Sequence, residues 1–236
     1  MFKNKVCVIT GGANGIGKAI ANEFIKNNAK CYIIDIVEGD HFIGDISDKN
    51  TLEQFVKYVI DKEGKIDYLI NNAPPINKGI NKCSYEDFNK ALAIGVTAPF
   101  YLSKLFLPYF NDNASIINIS SSRDRMSQPQ TESYTASKGA ISALTHALAI
   151  SLSHKVRVNS ISPGWILTNN QTITDESDVL QHPSGRIGKP LDIANLVLFL
   201  CSDQASFING ENICVDGGMT KQMIYHNDYN WVLNNK

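Results

Sequence analysis

The stretch Thr10–Gly17, TGGANGIG, decides how this chain is read. It follows an apolar run at residues 5–10, KVCVIT, and it opens a helix-length segment at residues 15–27. A β-rich run, a glycine turn and a helix in that order form the first half of a βα unit. Glycine turns tightly and lets backbone approach an anion, and the helix start beyond it offers unpaired N–H groups and a favourable dipole. Position makes the motif informative, since a lone glycine-rich turn also serves as a plain βα connection.

Outward from this turn, strand-like runs alternate with helical segments. Strands are expected at 30–36 (KCYIIDI), 66–71 (IDYLIN), 115–120 (SIINIS), 156–162 (VRVNSIS) and 212–216 (NICVD), with 41–46 (HFIGDI) a candidate for the third. Helices are expected near 50–62, 84–110, 132–153 and 190–201. Continuous Val/Ile runs mark strands buried on both faces, as in a parallel sheet covered by helices. The alternation predicts a doubly wound α/β fold in one domain spanning 1–236. One connection is short: only Val37 to Asp40 separate the second and third strand candidates. A parallel crossover ordinarily takes a dozen residues or more, so either an extended link replaces the crossover helix or the third strand is very short, and one sheet face is expected to be barer there.

The 236 residues are 43% hydrophobic and 19% charged, enough for a large core. Lys plus Arg total 22 and Asp plus Glu 23, for a net charge of -1. No overall field favours nucleic acid or an anionic membrane. No apolar run reaches ~18 residues, and the start MFKNKVCVITGG lacks a secretory h-region. Cys7, Cys31, Cys83, Cys201 and Cys214 show no metal spacing and read as small core residues of a reducing, cytoplasmic compartment. The histidines form no metal-ligand pattern, so no metal is expected. Abundant Asn, Ile and Lys match the composition of an AT-rich bacterial genome.

Two further groups carry chemistry. Asp35 ends the second strand, 18 residues after Gly17. Its carboxylate suits ribose hydroxyls and repels a 2′-phosphate, and Asn14 stands where a basic residue would meet that phosphate; NAD is therefore expected over NADP. Tyr134 and Lys138 are four apart on a predicted helix and share a face. An ammonium beside a phenol favours phenolate, so Tyr134 can exchange a proton with an alcohol or carbonyl oxygen. Ser121, at a strand end, can hydrogen-bond the same oxygen.

Together, TGGANGIG, Asp35, GDISD, NNA at 71–73, NISS ending at Ser121, YTASK at 134–138, VRVNSISPG ending at Gly164 and VDGG at 215–218 resemble the short-chain dehydrogenase/reductase family, in its branch of ~250 residues. The resemblance implies a Rossmann-type three-layer sandwich with about seven parallel strands and NAD(P)-linked hydride transfer at a secondary alcohol or ketone. It assigns catalysis to Ser121, Tyr134 and Lys138. It places Gly11, Asn14, Gly15, Ile16 and Gly17 at the pyrophosphate, and Asp35, Ile36, Asp45 and Ile46 around the adenosine. Asn72, Ala73 and Pro74 fall by its ribose, with Pro163, Gly164, Ile166 and Thr168 around the nicotinamide. It also implies a homodimer or homotetramer formed through the helices at 84–110 and 132–153.

Three departures stand out. The usual NNAG is NNAP, with Pro74 and Pro75; proline fixes φ and removes a donor. An Asn that supports a water linked to the lysine is replaced by Gly95, which supplies no amide but leaves room for a water. The crossover after the second strand is cut short, on the adenosine side.

On the substrate side, the lid from Thr168 to Gly185 is short and polar, which suggests a small or partly exposed substrate. Arg123 and Arg125 follow Ser121. Either offers a guanidinium to a substrate carboxylate or phosphate, or pairs with Asp124, Glu132 or another surface acid. Ser121, Arg123 and Tyr134 are the expected substrate contacts, and His182 is expected to be a solvated lid residue. The tail at 219–236 carries Met223, Ile224, Tyr225, Tyr229, Trp231 and Val232. It is expected to pack on its own sheet edge or on a neighbouring subunit. Two rival readings are a dinucleotide-binding sensor or scaffold with little turnover, motivated by Gly95 and Pro74, and a sugar-nucleotide epimerase or dehydratase, for which the chain has too few residues.

Overall fold

The computed structural model describes residues 2–168, 175–230 and 232. Among these, the strands β1 (Val6–Thr10), β2 (Lys30–Asp35), β3 (Phe42–Ile43), β4 (Ile66–Asn71), β5 (Phe110–Ile119), β6 (Val156–Pro163) and β7 (Asn212–Val215) form one sheet. Its order is β3-β2-β1-β4-β5-β6-β7, and every pairing is parallel. The order reverses at β1, so the crevice beyond the ends of β1 and β4 is the topological switch point where α/β sheets take ligands.

Period-two alternation assigns each strand's side chains to two cores. Val8, Ile34, Leu69, Ile116 and Val158 face one side, against Phe55 and Val59 of α2 (Lys49–Glu63) and Leu102 and Phe106 of the later helix α4 (Ala98–Phe106). Cys7, Ile9, Ile70, Ile117 and Ile161 face the other, against Ile20 and Phe24 of α1 (Gly15–Lys26) and Ile193 and Val197 of α7 (Pro190–Cys201). Each such aliphatic or aromatic side chain contributes about 1.5–3 kcal/mol when fully buried.

The short second crossover behaves as expected. No helix lies between β2 and β3, and Ile36, Val37 and Ile43 are exposed there. The third strand is also very short, only Phe42–Ile43, so both alternatives read from the short spacing hold together.

The helix anticipated at 84–110 is not continuous. It consists of α3 (Tyr85–Leu92), a π-helical turn (Ala93–Thr97), α4 and a 3₁₀ turn (Leu107–Tyr109), and β5 already begins at Phe110. Pro99 has no N–H to give the Gly95 carbonyl four residues back, and the chain widens there, with Ala98 N–H reaching Ala93 O. Taken as one element, Tyr85–Tyr109 is long and apolar enough to cross a membrane. Its apolar residues Ala91, Ala98, Leu102 and Phe106 are instead buried in the fold.

Helix α5 (Glu132–Ser151) carries Tyr134 and Lys138. The segment after the double proline is laced to its start. Lys78 N–H donates to Ser133 Oγ at 2.9 Å, Ile80 N–H to Glu132 Oε2 at 2.9 Å and Asn81 N–H to Gln130 Oε1 at 3.1 Å. The lid contains a short helix not anticipated from its polar sequence, α6 (Glu176–Leu180), and lid residues 169–174 lie outside the described residues. In the tail, Met223, Ile224, Tyr225 and Val232 are exposed, so the expected packing on the chain's own sheet edge is not observed for them. The Tyr229 side chain and Trp231 lie outside the described residues.

Candidate active site

A cavity of about 760 Å³ opens along the ends of β1, β2, β4, β5 and β6. It falls within the 300–1,000 Å³ typical of small-molecule and cofactor sites. Every residue assigned above to catalysis or cofactor lines it except Gly17, and Arg123 stands outside the lining. Lys90, Val37, Pro75 and Ile94 line it too and were not anticipated. Lys90 is reached from α3, far away in sequence, and Val37 follows an exposed strand end.

At one end, the glycine turn is held by neighbours that leave no room for side chains. Gly11 has φ +66°, and a Cβ on it would lie 2.7 Å from Ala73 Cα; on Gly17 it would lie 2.1 Å from Gly11 O. Gly17 therefore acts by letting α1 close onto the turn, which is why it does not line the cavity. Asn72 secures the same turn. Its Nδ2 donates to Thr10 O at 3.1 Å and Gly11 O at 2.7 Å, while Thr10 Oγ accepts the Asn72 and Ala73 N–H groups. The substitution of proline at 74 leaves these crosslinks intact.

Asp35 stands in the cavity wall, but its carboxylate has local partners. Oδ2 accepts from Ala13 N–H at 2.9 Å and Oδ1 from Val37 N–H at 3.1 Å. It thus ties β2 to the glycine turn. Asp45 accepts from Ser47 N–H, Ser47 Oγ and Lys90 Nζ, the last at 3.0 Å. Burial pushes its carboxyl up, but those bonds outweigh it and hold the pKa below the usual value. Lys90, the basic residue of this wall, is therefore already paired.

At the other end, Ser121, Tyr134 and Lys138 converge. Ser121 is buried, and its Oγ accepts from Arg123 N–H at 3.2 Å. Lys138 is 4% exposed and donates to the Ile119 carbonyl at 2.6 Å. Burial lowers its pKa to about 8. Two cations lie near the Tyr134 ring, with Lys138 Nζ 5.4 Å and Arg123 Cζ 5.7 Å from its centroid. Burial raises the phenol above its ordinary value, against the opposing pull of Ser121 and Arg123. The expectation that the lysine would bring the phenol below its ordinary value is therefore corrected. Desolvation dominates, and the nearby charge that lowers it is Arg123.

Beneath the site, Asp124 joins four elements. It accepts from Arg125 Nε at 2.7 Å, Ser142 Oγ at 3.0 Å, Ser162 Oγ at 3.0 Å and Asn212 Nδ2. The loop after Ser121, α5, β6 and β7 thus meet at one carboxylate. Sequence spacing does not show this hub, because its partners are up to 88 positions apart.

Pro163, Gly164, Ile166 and Thr168 form the far wall, with Ile166 bridged to Gly188. His182 is not the solvated residue expected. It is 2% exposed, its Nδ1 lies 3.0 Å from Asp178 O, and its ring packs near Trp165. A Cβ on Gly217 would lie 2.5 Å from Ser184 Oγ and 3.5 Å from His182 Cβ, a closeness that folding alone creates. Among the described residues, no three His, Cys, Asp or Glu side chains group as metal ligands.

Residues 11–220 match the family model described as enoyl-(acyl carrier protein) reductase. An uncharacterized oxidoreductase of Thermotoga maritima is 39% identical, over 95% of this chain and 99% of its own. The solved structure of an apo SCOR enzyme from Clostridium thermocellum is 43% identical and superposes with a TM-score of 0.93, covering 99% and 100% of the two chains. The 3-ketoacyl-(acyl-carrier-protein) reductase of Brucella melitensis, solved with NADH, is 30% identical at a TM-score of 0.82 over 92% and 99%.

Proposed function

The chain belongs to the short-chain dehydrogenase/reductase family, and from that premise we propose that it is an NAD-dependent oxidoreductase acting on a secondary alcohol and its ketone. One observation carries the reading. Ser121, Tyr134 and Lys138 form one end of the same cavity whose other end is the glycine turn and Asp35.

The residues present fit a dinucleotide. Gly11 to Ile16 offer backbone at the start of α1 for a pyrophosphate. Asp35 suits a ribose diol and opposes a 2′-phosphate, which supports NAD over NADP, and Lys90 is occupied by Asp45. Pro163 to Thr168 would flank the nicotinamide, whose bound ring supplies the hydride donor or acceptor.

The chain's own work is proton transfer and positioning. Ser121 holds the substrate oxygen. Tyr134, a phenol at neutral pH, donates its proton to a ketone oxygen in the reducing direction. In the oxidising direction it must accept one, and the Arg123 charge and the Ser121 hydrogen bond favour the phenolate that does so, against the desolvation of the site. Lys138 retains most of its charge at pH 7, given a pKa of about 8, and is held by the Ile119 carbonyl. Exposed Tyr85, Phe100 and Ile150 on the α3–α4 and α5 surfaces support assembly into a homodimer or homotetramer.

The test is Tyr134→Phe. Following NADH absorbance over a panel of alcohols and ketones, kcat should fall by about 10²–10⁴-fold, while calorimetric NAD binding stays close to that of the unmodified protein. Parallel loss of binding and turnover would show that the phenol is structural.

A further inference from the structure

Two arginines follow Ser121, and the structure separates them. Arg125 makes a two-pronged ion pair with Asp124, Nε to Oδ1 at 2.7 Å and Nη2 to Oδ2 at 3.0 Å. Glu132, the other acid in reach by sequence, accepts from Ile80 N–H instead. Arg123 has no carboxylate within ion-pair distance among the described residues. Its guanidinium meets a neutral partner, the Gln128 side-chain oxygen, and stands over the Tyr134 ring. Lys138, on the same ring, likewise has no carboxylate partner among the described residues. The rim of the reaction site therefore carries positive charge that the described residues leave uncompensated.

We infer that the substrate brings the missing anion: a carboxylate close to the reacting carbon, received by Arg123. The site is thus one for a short hydroxy acid and its oxo acid. This rests on the hydride-transfer reading above. The guanidinium lies over the ring rather than beyond it, so an anion held there sits a few ångströms from the phenol. The carboxylate is borne by the reacting carbon or by one close along the chain. A planar fork of donors matches a planar carboxylate, and Gln128 holds that fork in place. In the oxidation, the hydroxy acid loses a hydride from carbon to NAD⁺ and a proton from oxygen to Tyr134. The products are the oxo acid, NADH and a proton released to solvent.

The experiment compares 2-oxobutanoate and 3-oxobutanoate with their methyl esters, in the unmodified enzyme and in Arg123→Gln and Arg123→Lys. The acid should be preferred to its ester in kcat/KM. Arg123→Gln should reduce that preference by about 10- to 100-fold, and Arg123→Lys should restore part of it. A role limited to stacking on Tyr134 would lower acid and ester alike, and that result overturns the inference. So does indifference to the ester in the unmodified enzyme, or preference for a phosphorylated ketone over the oxo acids. Calorimetry of the same acids on the NAD-loaded protein separates the two claims. Acid binding that depends on Arg123 without turnover leaves the inference standing and removes the hydride-transfer reading. Acid binding that is equal in Arg123→Gln removes the inference.

Discussion

Pro75 and Gly95 lie against each other: a Cβ added to Gly95 would come within 3.3 Å of Pro75 Cβ. The same Cβ would be 2.9 Å from Ser137 Cβ and 3.1 Å from its Oγ, and Ser137 is one residue before Lys138. Two departures from the family pattern, far apart in sequence, are therefore one packing arrangement. The double proline and α5 close the space into which a residue-95 side chain would begin, and Gly95 is what allows that closure.

Restoring the family's Asn at this position should therefore harm the protein. Gly95→Asn forces Pro75 and α5 apart, and over-packing of this kind costs about 1–3 kcal/mol. Chemical denaturation measures the loss, and kcat should fall with it because Ser137 adjoins Lys138. Ser137→Gly in the same chain should recover part of the stability. A stable, faster Gly95→Asn enzyme would show that the site tolerates the amide and lacks it to its cost.

Lys138 predicts a stability that rises in alkali. Its pKa is about 8 in the folded chain and about 10.4 when unfolded. Between those values the unfolded state binds more protons, so unfolding becomes harder as pH rises through the interval. The cost of holding the buried ammonium, about 3 kcal/mol, is fully present below pH ~8 and relieved by pH ~10. Lys138→Met lacks the group, so urea midpoints of the two proteins without cofactor should converge from pH 7 towards pH 10. A constant difference across that range contradicts a depressed lysine.

Asp35 is predicted to have two effects that separate. Asp35→Ala removes the proposed ribose acceptor and the tie to Ala13 and Val37. NAD should weaken more than NADP, and the protein should lose about 1–2 kcal/mol from the two backbone bonds. Asp35→Asn keeps one acceptor oxygen for the turn without the charge that repels a 2′-phosphate. It should recover part of the stability while still narrowing the proposed NAD preference. Cofactor titrations and thermal melts read the two effects independently.

Asp124 is predicted to be a structural hub. Asp124→Ala should cost about 2–4 kcal/mol near neutral pH, since several bonds to one buried carboxylate are lost together. Burial pushes this carboxyl up, but Arg125 and the donors on Ser162, Asn212 and Ser142 pull harder and hold it below its usual pKa. Its stabilisation is therefore complete above pH ~4 and is lost as pH falls through the lower folded value. Acid titration of both proteins checks this: their stabilities should approach each other below pH ~4.

Much of this was legible in one dimension. The glycine turn after an apolar run, the Val/Ile alternation and the four-residue step from Tyr134 to Lys138 each express a local rule, of turn sterics, sheet pleat or helix pitch. Such rules placed the strands and put the three proposed catalytic side chains in one cavity. The break in the helix at Ala93–Thr97 was also local in cause, through Pro99, but the helical spacing on both sides hid it.

The amino-acid sequence by itself determined the parallel sheet, the dinucleotide-type turn and the candidate serine, tyrosine and lysine, because each follows from neighbours within a few residues along the chain. Tertiary structure alone decided which arginine is paired, that His182 is buried, that Pro75 faces Gly95 and that Tyr134 is raised by desolvation. Those outcomes depend on which distant side chains exclude water and satisfy charge at one point, and chain packing sets that after local structure has formed.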